Sequence, residues 1–201
     1  MISSFITQID NTEIVLPAIQ RDFVWEEERI TKLFDSIMRG YPLGIVLLWE
    51  TYLDIKYREF ENDYQSEVKY IFKDNTTNKR IKLVLDGQQR LQSLFIALNG
   101  SIDGKELYFD VLSGKTIDDF REVFYVFRFL KSTDSVELNN KTKENLKNKE
   151  NGEENGEQEK YSVFISVKEI LNSSPEGRLA MKNELKSEYG LADKDVIRLE
   201  L

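Results

Sequence analysis

The stretch that decides the fold is Leu83-Val84-Leu85-Asp86-Gly87-Gln88-Gln89-Arg90-Leu91. An apolar run typical of a β-strand ends at Asp86-Gly87, and an amphipathic helical pattern follows. At such a strand–turn–helix junction, free backbone N–H groups and the positive end of the helix dipole face the same point and favour an anion. The stretch therefore predicts a strand over 81–85, a helix over 87–98 and a phosphate site between them, with Arg90 beside it.

A purely structural interpretation of the same residues stays open. Asp86 would be the N-cap of the helix, Gln89 three residues later would complete a capping box, and Gly87 would serve the tight turn. Arg90 fits this interpretation poorly, because a cation in the first helical turn opposes the dipole. A bound anion would offset that repulsion.

A second polar pair, Gln20-Arg21, follows the short apolar stretch at 14–16 and precedes Phe23 and Trp25. Arg21 and Arg90 would each offer a rigid fork of donors suited to phosphate oxygens. Trp25 or Phe23 would offer a stacking face to a base, although packing in the core is the alternative for both. We expect the two polar segments to form one nucleotide-binding site.

The composition restricts the chemistry. Among 201 residues there is neither cysteine nor histidine, which excludes disulfides, thiol chemistry, Ser-His-Asp catalysis and histidine-ligated zinc. Any catalysis must use carboxylates, amides, arginine, lysine, hydroxyls or a carboxylate-held metal. The formal net charge is −8, and residues 1–131 hold 17 basic and 21 acidic side chains, which counts against DNA binding as the main activity.

The chain shows no signal peptide and no apolar run long enough to cross a bilayer. We therefore expect a cytoplasmic protein without a membrane partner.

Three segments differ in composition. Residues 1–131 predict a compact α/β (α+β) domain with a mixed sheet. Residues 132–160, in which Lys, Glu, Asn and Gly dominate, predict a flexible acidic insertion or linker. Residues 161–201 predict a helical extension. Its apolar faces have few partners, so we expect it to begin a longer C-terminal region.

The local patterns predict individual elements along the chain. The expected helices lie over 26–39, 166–171 and 175–189, with another starting at Asp193. The expected strands are a buried one over 44–49, one over 52–60 that pairs with it, two over 68–72 and 81–85 that form a hairpin, and two over 107–112 and 123–130.

Three motifs together carry a resemblance. They are Leu16-Pro17-Ala18-Ile19-Gln20-Arg21-Asp22-Phe23-Val24-Trp25, then Asp35-Ser36-Ile37 with Gly40-Tyr41-Pro42-Leu43-Gly44, then Asp86-Gly87-Gln88-Gln89-Arg90-Leu91. Their order and spacing resemble the N-terminal domain of GmrSD-type restriction enzymes over about residues 5–130. The resemblance implies a ParB/sulfiredoxin-like fold.

The resemblance also implies a nucleoside triphosphate, with Mg²⁺, as ligand. Gln20 and Arg21 match the first nucleotide box of ParB-like proteins, and Gly87, Gln88, Gln89 and Arg90 match the second. The chain lacks the proline between Gln20 and Arg21 and has Gln88 where the box has an acidic residue, so the base preference does not transfer.

In that family the domain acts in defence against foreign DNA, and a C-terminal nuclease motif built on His and Asn cuts the DNA. Without histidine, this chain does not carry that nuclease. We expect DNA to be reached only through the full-length protein or a partner, and an oligomer is possible.

Phosphoryl transfer requires mainly positioning and charge neutralisation. Asp86 would orient a water or help to hold Mg²⁺, Gln89 would position the attacking water, and Arg90 with Arg21 would offset charge on the phosphates. Asp22 and Asp35 are further candidate carboxylates, although solvated side chains are the simpler interpretation. The alternatives are a DNA-binding or ParB-like nuclease domain and a non-catalytic interaction module.

Overall fold

The computed structural model describes residues 2–65, 71–114, 123–150 and 161–191. Within these ranges the protein is mixed α/β. The elements in chain order are α1 (Ile2–Asp10), β1 (Ile14–Pro17), α2 (Glu27–Met38), β2 (Leu47–Thr51), β3 (Lys56–Arg58), β4 (Asp63–Tyr64), β5 (Phe72–Asp74), β6 (Ile81–Asp86), α3 (Gln88–Asn99), β7 (Ser101–Ile102), β8 (Glu106–Asp110), β9 (Phe127–Leu130), α4 (Ser132–Glu150), β10 (Phe164–Ser166), α5 (Val167–Asn172) and α6 (Pro175–Tyr189).

The chain divides into two compact units. Unit 1 consists of the residues up to Ile30 together with Pro42–Gly104, and unit 2 consists of Thr31–Tyr41 together with the residues from Lys105 onward. This division differs from the predicted boundary near residue 131. Whether residues 1–131 fold by themselves stays a prediction.

Unit 1 contains a five-stranded mixed sheet in the order β2-β6-β1-β3-β5. Strands β1 and β6 are parallel neighbours, with Val15 opposite Leu83, and the other pairings are antiparallel. Because parallel strands end at the same edge of a sheet, the segment after Pro17 and the junction after Asp86 start side by side. This topology positions the candidate site.

The core of unit 1 confirms the predictions for β6 and α3. Val15, Ile81 and Leu83 are buried together, and Ile55 and Tyr57 pack against them. Helix α3 buries the apolar stripe that its sequence predicts, including Leu91, Leu94 and Phe95. In the same unit the short strands β4 and β7 pair in parallel.

The predicted burial of the 44–49 run is wrong. Among the strands that the structure describes, β2 lies at the edge of the sheet and has β6 as its one neighbour, and Leu47 is 53% exposed and Trp49 is 44% exposed. An apolar run predicts a strand, but only the strand order decides whether a second neighbour covers it.

Two predicted strand pairings are also wrong. Strand β3 pairs with β1 and β5, not with β2, and β5 therefore does not form a hairpin with β6. The buried Asn75 side chain fixes the turn after β5 by donating to the carbonyls of Leu53 and Lys79. Residues 68–70 of the predicted 68–72 strand lie outside the described residues.

Unit 2 contains an antiparallel sheet in the order β10-β8-β9. Phe127 packs against Phe109 and Phe34, with ring centroids 4.9 and 5.6 Å apart. The predicted helices α2, α5 and α6 are confirmed, with Ser166 and Ser174 as N-caps of the last two. The predicted helix from Asp193 lies outside the described residues.

The predicted flexible linker is wrong for 132–150, which form helix α4. Polar contacts hold this helix. The Asn139 amide donates to the Phe164 carbonyl and accepts from its N–H at 2.9 and 2.8 Å, and Thr142 Oγ1 donates to the Ser162 carbonyl. The prediction from composition missed the helix because it rested on the scarcity of apolar residues. Composition carries no information about hydrogen bonds of this kind. Residues 151–160 lie outside the described residues.

No helix in the described ranges combines the length and the apolar character needed to cross a bilayer.

Candidate functional site

The two polar segments meet at the carboxyl ends of β1 and β6. The Gln20 side chain donates from Nε2 to the Leu85 carbonyl at 3.0 Å, across 65 residues of sequence. The expectation that the two polar segments lie close together is confirmed for Gln20 and the junction between β6 and α3. Crevices at the carboxyl ends of parallel strands are the usual ligand sites of open α/β sheets.

The side chain of Gln89 ties the two segments together. Its Oε1 atom accepts from the Val24 N–H at 3.0 Å, and its Nε2 atom donates to the Asp22 carbonyl at 2.9 Å. Gln89 is buried, and both ends of its amide are engaged by backbone. It holds the 22–24 segment in place, and the predicted contact with an attacking water would compete with these bonds.

No side chain in the described part of the protein caps the N-terminus of α3. Gly87 is the N-cap residue, with a left-handed φ of 86°, and the Asp86 side chain is 74% exposed. The interpretation of Asp86 and Gln89 as an N-cap and capping box is therefore wrong. The first N–H groups of a helix have no acceptor within the helix, so this end offers donors to an anion.

Arg90 binds protein carbonyls in this structure. Its guanidinium donates from Nη1 to the Leu43 carbonyl and from Nη2 to the Ile45 carbonyl at 2.6 Å, and Nη2 lies 3.9 Å from Asp86 Oδ2. Between the two carbonyls, a Cβ on Gly44 would lie 2.1 Å from Nη1. Only glycine leaves room for this close approach.

Arg21 is the exposed arginine of the site. Its carbonyl accepts from Arg58 Nη2 at 3.0 Å, and Arg58 is buried in β3. Arg58 is a residue of the site that none of the sequence motifs contains. The sequence does contain a signal for its position. Ile55 and Tyr57 are spaced two apart and pack against the core, so the alternation of a strand places Arg58 on the opposite face.

The aromatic candidates are largely engaged. The Arg29 guanidinium lies over the Trp25 ring, 4.4 Å from its centroid, so a base would have to use the other face of Trp25. Phe23 is buried and meets Tyr64 edge-on at 5.0 Å, as the core interpretation predicts.

Two amide oxygens of the site lack donors. The Oε1 atoms of Gln20 and Gln88 are buried and accept no hydrogen bond within the described part of the chain. Buried acceptors of this kind are normally satisfied, so these oxygens fit ligand or water groups that donate N–H or O–H.

The other candidate carboxylates differ in position. Asp22 is exposed in unit 1. Asp35 lies in unit 2, where its buried carboxylate accepts from the N–H groups of Phe124 and Tyr125 at 3.2 and 2.7 Å. The solvated interpretation of Asp35 is therefore wrong. The described ranges contain no group of three acidic side chains that could hold a metal ion by themselves.

A second buried glutamine of α3 forms a matching clamp away from the polar pair. Gln92 accepts from the Glu61 N–H at 3.3 Å and donates to the Glu61 carbonyl at 2.7 Å. Burial raises the pKa of the Glu61 carboxyl, and the nearby Arg58 charge opposes that shift.

An apolar cavity of about 140 Å³ adjoins Arg90. Phe5, Ile6, Leu43, Gly44, Val46, Arg90, Leu91 and Leu94 line it. Its walls come from α1, α3 and the segment that Arg90 holds.

The sequence is similar to those of known proteins. The sequence profile of the GmrSD restriction endonuclease N-terminal domain matches residues 2–197. The chain is also similar to the uncharacterized protein MJ0686 of Methanocaldococcus jannaschii, with 36% identity over 86 residues. That alignment spans 43% of this chain and 14% of the relative's length. The match over nearly the whole chain shows that the protein belongs to the family of GmrSD restriction endonuclease N-terminal domains.

Proposed function

We propose that this domain binds a nucleoside triphosphate with Mg²⁺ and serves as the regulatory domain of a DNA restriction or phage-defence protein. We further propose a ParB/sulfiredoxin-like relationship for its fold and contact with DNA through the rest of the full-length protein. The family supports the defence role. The proposal of nucleotide binding rests on the geometry of the site.

The observation that carries the proposal is the bond from Gln20 to the Leu85 carbonyl. It joins the first polar segment to the strand that leads into α3, so one ligand would reach Arg21 and the uncapped helix end together. The phosphates would lie on the N–H groups after Gly87, with Arg21 as the available cation. The free Oε1 atoms of Gln20 and Gln88 would accept from hydroxyl, amino or metal-bound water groups.

Hydrolysis is a further part of the proposal. Asp86 is the exposed carboxylate beside the helix end, where it would orient a water or complete the shell of Mg²⁺, which binds through phosphates and one or two carboxylates. Gln89 would act by holding the 22–24 backbone, which its contacts already do.

A thermal-shift titration with each of the four nucleoside triphosphates and Mg²⁺ tests binding. A ligand at about 100 times its Kd should stabilise the protein by about 2.7 kcal/mol. Inorganic tripolyphosphate separates recognition of the phosphates from recognition of the base, and phosphate release measures hydrolysis. If no triphosphate changes the melting temperature or the amide exchange around residues 20–24 and 86–90, the proposal is wrong.

An apolar rim supports a second candidate, a protein-interaction module. Ile19 is 97% exposed beside Gln20, and Ile45 is 78% exposed next to the Arg90 contacts. Leu47 pairs with Asp86 and is also exposed. Large exposed apolar side chains are typical of contact sites where they form a patch. Self-association that disappears in Ile19→Ser or Ile45→Ser, without any nucleotide binding by the wild type, would favour this candidate.

A further inference from the structure

We infer that Arg90 is a latch, which releases the Leu43–Ile45 segment when its guanidinium turns from the two carbonyls to a bound phosphate. This inference rests on the proposed function, because the phosphate is the group that competes for Arg90. Pro42 is the residue at which the chain enters unit 1 from unit 2, so the latched segment lies directly after that crossing.

Arg90 is the hydrogen-bonding partner that the structure shows for the carbonyls of Leu43 and Ile45. Gly44 and Ile45 are exposed, and a cavity of about 140 Å³ lies behind Leu43, Gly44 and Val46 in place of packed side chains. A segment with little packing and two bonds to one side chain depends on that side chain for its position.

Two glycines with a left-handed backbone conformation allow Arg90 to lie close both to the two carbonyls and to the N-terminus of α3. Gly44 has a φ of +83° and leaves space for Nη1, while a Cβ on Gly87 would lie 3.2 Å from Nη2 and 3.3 Å from the Ile45 carbonyl. The guanidinium therefore lies directly beside the N-cap residue of α3. A phosphate at this helix end carries full negative charge, so the guanidinium would gain an ion-pair attraction there that the neutral carbonyls of Leu43 and Ile45 do not provide.

Gly44→Ala tests the latch, because the latch predicts tighter triphosphate binding, whereas a variant that merely disturbs the fold would bind more weakly. The added Cβ would lie 2.1 Å from Nη1 and would displace the guanidinium from the carbonyls. We expect roughly three- to tenfold tighter triphosphate binding, because the competing bonds are lost before the ligand arrives. Gly104→Ala is the matched control, since Gly104 has a φ of +75° with no atom within 4 Å of the added Cβ.

The mobility of the segment is the second measurement. The chain lacks cysteine, so Ile45→Cys provides a unique labelling position, and Leu179→Cys in α6 is the exposed control. Nucleoside triphosphate with Mg²⁺ should lower the fluorescence anisotropy of the label at 45 and leave the label at 179 unchanged. Gly44→Ala should lower the anisotropy at 45 without nucleotide.

The outcomes separate the two proposals. Binding with unchanged or raised anisotropy at 45, or Gly44→Ala binding no tighter than Gly104→Ala, overturns the latch and leaves nucleotide binding intact. No binding of any triphosphate to the wild type overturns both. Circular dichroism of each variant shows whether the fold is retained.

Discussion

Gln89 in α3 and Val24, 65 residues earlier in the chain, share a 3.0 Å hydrogen bond between the side-chain amide oxygen and the backbone N–H. The same amide donates to the Asp22 carbonyl. A buried glutamine thus joins the two polar motifs, and the helix cannot shift without moving the first motif.

We expect Gln89→Leu to lower the free energy of unfolding by about 1–3 kcal/mol, because the Val24 N–H and the Asp22 carbonyl lose their partners. It should also weaken triphosphate binding. Gln92→Leu is the matched control, since it removes the equivalent clamp on Glu61. Denaturant unfolding and a binding titration measure both effects. Equal loss of affinity in the two variants would contradict a specific positioning role for Gln89.

Arg21→Ala should weaken triphosphate binding by about tenfold and change the stability by no more than about 0.5 kcal/mol. Arg21 is exposed, so its charge serves little in the folded chain alone. Arg80→Ala is the control, because Arg80 is an exposed arginine before the start of β6, where it pairs with Glu50. Unchanged affinity after Arg21→Ala would remove Arg21 from the site.

Asp86→Ala should leave the melting temperature nearly unchanged, because Asp86 does not cap α3 and its side chain is exposed. If the domain hydrolyses nucleotide with Asp86 at a water or at Mg²⁺, turnover should fall by about 10²-fold or more. Asp74→Ala, at the far edge of the sheet, is the control. A clear loss of stability with unchanged turnover would restore the capping interpretation.

Asn139→Leu should destabilise unit 2 by about 1–3 kcal/mol, because the N–H and carbonyl of Phe164 both lose their side-chain partner. Asn140→Leu changes an exposed neighbour on the same helix and should have little effect. Thermal unfolding compares the two, and amide exchange should show protection within 136–148. Fast exchange throughout this range would support the flexible linker that the composition predicts.

The pH dependence of stability should show an opposite sign at two glutamates. Burial raises the pKa of Glu61, so the stability linked to its proton is present at low pH and is lost as the pH rises through that pKa. Glu61→Gln should therefore melt higher than the wild type at neutral pH, and the difference should shrink below about pH 4.3.

Glu50 is the control of opposite sign, since its hydrogen bond to Arg80 lowers its pKa. That contribution is present at neutral pH and is lost as the pH falls, so Glu50→Gln should melt no higher than the wild type at neutral pH. A Glu61→Gln variant that is less stable at neutral pH would contradict the assignment.

Local patterns in the sequence determined the elements that lead into the site. The apolar run ending at Asp86 and the helical stripe of α3 appear as predicted, because each depends on residues within a few positions. The apolar stretch at 14–16, for which no strand was predicted, forms most of β1. The types of polar residue in the site are also given by these segments of the sequence. Their meeting was predicted from the resemblance, and the parallel pairing of β1 with β6 accounts for it.

Only the tertiary structure decided the partners. The sequence shows that Gln89 and Arg90 are donors, but any nearby carbonyl satisfies a donor, and the acceptors at Asp22, Leu43 and Ile45 lie 45 to 67 residues away. The exposure of β2 and the helical structure of α4 were also decided by tertiary neighbours. Burial and hydrogen-bond partners depend on which segments become neighbours, and composition and periodicity do not contain that information.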